Sequence, residues 1–383
     1  MVGLLGLWLL LLDFIAGNIA THSLKNVEQN KQNTGEIRIY SPVYHHTLDA
    51  NRDEMLAWVG DELYSLRTNS FGFRDRVVRD VPEVSSNYRI VFIGDSFTEG
   101  LSVEYDDSFV GIIAKAFKSK GIEVLNAAVV SYSPIIYWRK IKYFVEVVGF
   151  KFNELVVFID ISDIEDEVNF RLDEVDAVVD ANSPPDPWRP VRQWAVRNFA
   201  SMRLISTLTH YIRRYNLAVK GQPVPNRKED DRKEVIDHRF DSRFTWTFDE
   251  EAFKTFGARG LKLAAEHMNN LHGILKPLGI RLTVVVYPHP AQINVHDLDS
   301  IQVKYWRDWC DANGVQFINL FPRFINETAS ADVISKYFFD KDIHWNTAGH
   351  SLIASSFLSE YVPMRPKLER PNLQRSGLQQ PIK

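Results

Sequence analysis

A serine, a histidine and an aspartate in this chain have the types and settings that acyl transfer requires. Ser96 closes the tripeptide Gly94-Asp95-Ser96, which directly follows the apolar run Ile90-Val91-Phe92-Ile93. A small hydroxyl placed where a strand gives way to a loop is how α/β enzymes present a nucleophile. Far downstream, Asp342-Ile343-His344-Trp345-Asn346 sets an acid close to an imidazole. An imidazole titrates near neutrality, so His344 could take the proton of Ser96 and return it to a leaving group. Asp342 could accept from the ring and fix its tautomer. The plainer readings make Ser96 a helix cap, His344 a surface residue and Asp342 a helix-start acid. Gly-Asp-Ser is common by itself; its place at the end of an apolar strand puts the functional reading ahead.

Three other features could carry chemistry. Asp163, Glu165, Asp166 and Glu167 form an acidic run whose oxygens would suit Ca²⁺ or Mg²⁺, against the plainer reading of a solvated loop, which is preferred here. His289, in Tyr287-Pro288-His289-Pro290, ends a strong strand and could line the same sheet edge as Ser96, or be structural. Cys310 is the single cysteine, so no intrachain disulfide can form, and its setting beside Trp309 is that of a half-buried helix residue.

These side chains need elements to hold them. Strand-like runs occur at Arg89–Ile93, Glu123–Asn126, Leu155–Ile161, Arg281–Tyr287 and Val315–Ile318. Helix-like segments lie at Phe109–Lys120, Pro134–Val148, Glu250–Leu278, Ser300–Asn313 and Thr347–Leu358, the last capped by Asn346 or Thr347. Continuous apolar strands alternating with helices predict an α/β fold: a three-layer α/β/α sandwich around a mostly parallel sheet. Residues 37–87 read as irregular structure ahead of the first core strand. Residues 162–247 interrupt the alternation with a Trp-bearing amphipathic stretch and a mixed-charge tract from Gly221 to Arg243, either a lid or a packed side helix with a loose loop.

The 383 residues, 45% of them hydrophobic, are ample for a large core, and a net charge of -4 gives no basic surface for nucleic acid. Val2 to Ala20 is apolar except for Asp13 and Asn18. It is read as a hydrophobic helix forming an uncleaved membrane anchor, with a cleaved signal peptide as the rival: no Lys or Arg precedes the run and no small-x-small site follows it. Lys25 and Lys31 would weakly hold the following side in the cytoplasm.

Gly94-Asp95-Ser96 and Asp342-x-His344-Trp345-Asn346 together resemble the first and last blocks of the SGNH, or GDSL, hydrolase superfamily. The closing glycine of the Gly-x-Ser-x-Gly elbow is missing, so the α/β-hydrolase motif does not apply. The family norm is Asp-x-x-His; the Asp-x-His-Trp form here is similar to that of polysaccharide O-acetyltransferases. The resemblance covers Tyr88 to Tyr361. It implies a flavodoxin-like sheet, a Ser96–His344–Asp342 triad, and an oxyanion held by the N–H groups of Ser96 and Ser131 with the Ser162 side chain. Ser131 stands at the family's glycine position and Ser162 at its asparagine position, and Asp160 threatens to bring a negative charge nearby. No metal or cofactor is implied. The expected organisation is an anchor or signal segment at 1–20, a linker and extension at 21–87, a catalytic domain at 88–361 with the insertion 162–247, and a disordered tail at 362–383. The expected substrate is an acylated cell-surface glycan or other small ester, met on the extracytoplasmic side of a membrane, or in secreted form if the segment is cleaved. A catalytically weak glycan-binding scaffold and a lipid esterase are the alternatives.

Overall fold

The apolar runs of the sequence become the middle of a sheet. The structure is a computed structural model and describes residues 37–57, 63–173, 176–182, 238–326, 328–361 and 363. Twelve strands occur among them: β1 (Arg38–Ser41), β2 (His45–Leu48), β3 (Asp53–Ala57), β4 (Leu63–Thr68), β5 (Arg74–Asp75), β6 (Tyr88–Ile93), β7 (Ile122–Asn126), β8 (Glu154–Ile159), β9 (Phe170–Leu172), β10 (Val178–Asp180), β11 (Arg281–Val286) and β12 (Gln316–Asn319). The main sheet has eight strands in the order β12-β11-β8-β6-β7-β5-β4-β3. From β12 to β7 every pairing is parallel. The side chains of Ile90–Ile93 and Leu155–Ile159 are wholly buried, as strands covered on both faces must be.

From β6 the chain steps to β7 on one side, then returns to β8, β11 and β12 on the other. Right-handed crossovers therefore send the helix after β6 to one face and those after β7, β8 and β11 to the opposite face. The contacts agree. Helix Phe109–Lys118 packs against Thr347–Glu360, and Pro134–Tyr143 packs against Ala258–Leu275. The reversal between β6 and β8 is a topological switch point, and open α/β sheets bind ligands at the carboxyl ends of the strands at such a point. Ser96 leaves β6 at that point.

Upstream of Tyr88 the structure differs from the sequence reading. Residues 37–75 are not irregular: β3, β4 and β5 extend the sheet antiparallel beyond β7, and β1–β2 form a separate hairpin. The reason they escaped notice is local. β5 is two residues long, and β3 is Asp-Glu-Met-Leu-Ala with no fully buried side chain. The described ends of residues 162–247 also belong to the core, since Trp246 is fully buried and donates from its ring nitrogen to the Ile161 carbonyl at 2.8 Å. The remainder of that segment, the N-terminal apolar segment and the tail lie outside the described residues. No helix among the described residues is long and apolar enough to cross a membrane.

Candidate active site

Gly94 lets β6 pass tightly into the turn that carries the nucleophile. A Cβ there would meet the Thr98 hydroxyl at 2.3 Å and the Phe158 carbonyl at 3.0 Å. Asp95 caps the one-turn helix Ser96–Glu99 by accepting the Phe97 N–H at 3.0 Å, and Gly100, at φ +86°, closes it. Ser96 is the first residue of this helix, so its N–H has no acceptor in the helix. Its hydroxyl lies 2.8 Å from His344 Nε2. The other ring nitrogen, Nδ1, donates to Asp342 Oδ1 at 2.6 Å, and the same oxygen accepts the His344 backbone N–H at 2.8 Å. Burial pushes the Asp342 carboxyl up, but the hydrogen bond from the His344 ring and the ring's charge outweigh it and leave the carboxyl below its ordinary value.

The short Asp-x-His spacing works because the loop is tightly wound. Lys341 takes φ +53°, the Asp342 N–H donates to the Phe339 carbonyl, and the Phe339 N–H donates to the His344 carbonyl. Asn346 then caps the last helix by accepting from Ala348 and Gly349. Trp345 follows the base but points into the core. It is fully buried beneath the site, with its ring 4.7 Å from Phe97 and 4.6 Å from Tyr287.

Ser131 takes φ +58°, the left-handed conformation that favours glycine, so the replacement keeps the backbone shape that the glycine position implies. Its loop leaves β7 beside the nucleophile turn: the Ala127 N–H donates to the Phe92 carbonyl, and the Val130 N–H donates to Glu99 Oε2 at 2.8 Å. Among the described residues, neither the Ser96 N–H nor the Ser131 N–H has an acceptor within the protein. The Ser162 backbone turns toward the neighbouring carboxyl: its N–H donates to Asp160 Oδ1 at 2.8 Å.

Beneath the nucleophile lie three buried carboxyls, Asp95, Asp160 and Asp163, with oxygens within 4.8 Å of one another. Asp163 Oδ2 accepts from the Tyr137 hydroxyl at 2.7 Å and the Asp160 N–H at 3.2 Å; Asp95 Oδ1 accepts from Tyr287 at 3.4 Å. Burial, and then mutual repulsion, holds Asp95 and Asp163 well above the ordinary carboxylate value, and burial raises Asp160. Three such groups could offer oxygens to a cation, but tyrosine and amide donors already point at several of those oxygens, which suits carboxyls that share protons. Asp160 is thus turned into this cluster. The acidic run is not a solvated loop either. It forms the helix Asp163–Asn169, in which Asp163, Asp166 and Glu167 are buried: Asp166 accepts from Arg243 at 3.0 Å, and Glu167 accepts from the Ile135 N–H at 2.6 Å and pairs with His267. Burial lifts Asp166 to about 7 against the pull of Arg243.

No family model and no curated protein matches this chain. Solved structures similar to it include an alpha/beta hydrolase enzyme from the metagenome of Lake Arreo, at 12% identity and TM-score 0.38, covering 73% of this chain and 96% of that one. An acetylxylan esterase from Geobacillus stearothermophilus gives 14% identity and TM-score 0.37 over 73% and 96% of the two chains. The psychrotrophic esterase of Pseudoalteromonas sp. gives 8% and 0.36 over 72% and 96%. At these values the likeness says nothing of residue roles, and the site stands on its own distances.

Of the expected residues, the structure joins Ser96, His344 and Asp342, places Ser131 on the neighbouring loop, and bonds the Ser162 backbone N–H to Asp160. His289 is fully buried, stacked on Phe244 at 4.1 Å, and held neutral by burial and by the charges of His344 and Arg243. Asp95, Tyr137, Tyr287 and Glu99 were missed. Only Asp95 carried a signal, its place inside the motif; the others join the site through partners distant in sequence.

Proposed function

We propose that the chain is a serine esterase or O-acyltransferase working through an acyl-enzyme on Ser96. The observation that carries this reading is the continuous chain Ser96 Oγ–His344 Nε2 and His344 Nδ1–Asp342 Oδ1, at 2.8 and 2.6 Å. Ser96 Oγ attacks the ester carbonyl and its proton passes to His344 Nε2. The imidazolium is steadied by Asp342 and held in one tautomer. The carbonyl oxygen gathers negative charge beside the N–H groups of Ser96 and Ser131, with the Ser162 hydroxyl as the third donor. His344 then gives its proton to the departing alkoxide as the C–O bond breaks. Water or a sugar hydroxyl enters, loses its proton to His344, and takes the acyl group from Ser96.

The substrate in this reading is an O-acetylated glycan outside the cytoplasmic membrane, with residues 1–20 as anchor; its support is the Asp342-x-His344-Trp345 pattern and the apolar N-terminal run. The full chain and its Ser96→Ala variant are to be compared on p-nitrophenyl acetate. The variant should lose at least about 1,000-fold in kcat/KM, the scale seen when a triad member is removed. Equal rates reject the mechanism. Because Ser162, with its shorter reach, stands at the asparagine position of the oxyanion site, a non-catalytic glycan-binding protein is the second reading; a Ser96 that a fluorophosphonate leaves unlabelled would favour it.

A further inference from the structure

The Val130–Ser131 peptide is gripped from behind by a histidine that the mechanism does not use. His46, on β2, places Nε2 2.6 Å from the Val130 carbonyl oxygen. That carbonyl and the Ser131 N–H belong to one trans peptide unit, so they point in opposite directions and cannot turn independently. A donor on the carbonyl therefore sets the direction of the N–H. The other side of Val130 is fixed as well, because its own N–H is held by Glu99, on the nucleophile's turn, at 2.8 Å.

The histidine is itself constrained. His46 Nδ1 lies 2.7 Å from His45 Nδ1, and His45 Nε2 lies 3.3 Å from Asp180. Only one of the two facing nitrogens can carry the shared proton. Because the Val130 carbonyl can only accept, His46 Nε2 carries that ring's proton and its Nδ1 accepts; His45 then donates at both ends, Nδ1–H to His46 and Nε2–H to the Asp180 carboxylate. The ring also lies edge-on to Tyr132 at 5.0 Å, and the Tyr132 hydroxyl donates to the His46 carbonyl at 2.7 Å. His45 holds its place at φ +73°, a left-handed position uncommon for a side chain of this size.

We propose that His46 is a positioning residue that aims the Ser131 N–H at the developing oxyanion, with His45 fixing its tautomer. This rests on the acyl-enzyme reading, in which Ser131 is an oxyanion donor. It assigns a catalytic duty to the β1–β2 hairpin, which lies outside the main sheet. Burial holds the His46 ring at about 4, so it remains a neutral donor where an esterase would work.

The test compares the full chain with His46→Phe and His46→Gln on p-nitrophenyl acetate, with fluorophosphonate labelling of Ser96 as a second readout. Phe keeps a ring against Tyr132 but offers no donor; the Gln amide can still donate to Val130. A misaimed donor should cost less than a deleted one, so kcat of His46→Phe is expected to fall about 10- to 100-fold with KM within about 2-fold. His46→Gln should recover at least about a third of the parent kcat, and both variants should still be labelled to completion. Parent-like kcat in His46→Phe, equal losses in both variants, or a loss confined to KM would overturn the proposal. An unlabelled parent enzyme would instead reject the acyl-enzyme reading itself. If His46→Phe does not melt cooperatively, His46→Gln is set against His45→Leu: the second should lose more kcat, and the reverse order overturns the assignment.

Discussion

Asp342 makes two hydrogen bonds with one oxygen, both from the residue it serves. An asparagine there could still accept both N–H groups, so Asp342→Asn separates charge from geometry. Its carbonyl keeps the tautomer but cannot steady an imidazolium. The expected loss in kcat is about 100- to 10,000-fold, with the melting temperature little changed, and steady-state kinetics beside a thermal melt checks it. The triad could be read in the sequence because each member sits in a short motif whose local consequences are strong: a strand end for Ser96, a helix cap following His344. Asp160 could not be read this way. Its residue type suggested a charge near the oxyanion, whereas its surroundings, Asp95, Asp163 and Tyr137, come from other elements and change what a carboxyl at that position is.

The element that the sequence hid most effectively is the antiparallel extension before β6. Arg74, on two-residue β5, looks like a surface residue in sequence. It is 1% exposed, and its guanidinium donates to the carbonyls of Glu99 and Val103 at 2.7 and 2.6 Å and to that of Gly100. These are the carbonyls where the nucleophile's turn ends, the helix C-terminus that a cation satisfies. Arg74→Met would fill much of the volume and leave several buried carbonyls unpaired. Each unmet group costs about 1–3 kcal/mol, so a loss of about 3 kcal/mol or more in unfolding free energy is expected, measured from urea titration. A variant that is as stable as the parent would show that water or a shift of the turn replaces the guanidinium. The turn at Asn69–Gly72 fell within the stretch read as irregular; the strand it leads into was hidden because its partner β7 is about 50 residues downstream.

At the scale of the whole molecule, the parallel half of the sheet was legible from its apolar runs, and the reversal of strand order between β6 and β8 followed only once pairing was known. The buried carboxyls add a property that no single segment carries. Their values are raised on folding, so the stability each contributes is complete below the unfolded value of about 4 and is lost as pH rises through the folded value. Half-buried His46 and fully buried His350 and His289, with lowered values, act oppositely as pH falls below about 6.5, so the parent curve alone mixes both. Asp163→Asn isolates one term. Its carbonyl can replace the acceptor for Tyr137 and the Asp160 N–H, and its amide places a donor among carboxyls where Asp163 Oδ1 has no partner. The melting temperature of the variant relative to the parent should rise steadily from pH 5 to pH 8. A difference that stays flat over that range would mean Asp163 is already ionised in the folded protein.

Ser96 and His344 are separated by 248 positions and meet across 2.8 Å. A ribosome making this chain releases the nucleophile, its capping aspartate and the neighbouring loop long before it releases the base. In the acyl-enzyme reading, the nascent chain therefore carries an unactivated hydroxyl through most of translation, and the nucleophile gains its base only once the loop wound around Lys341 has been made.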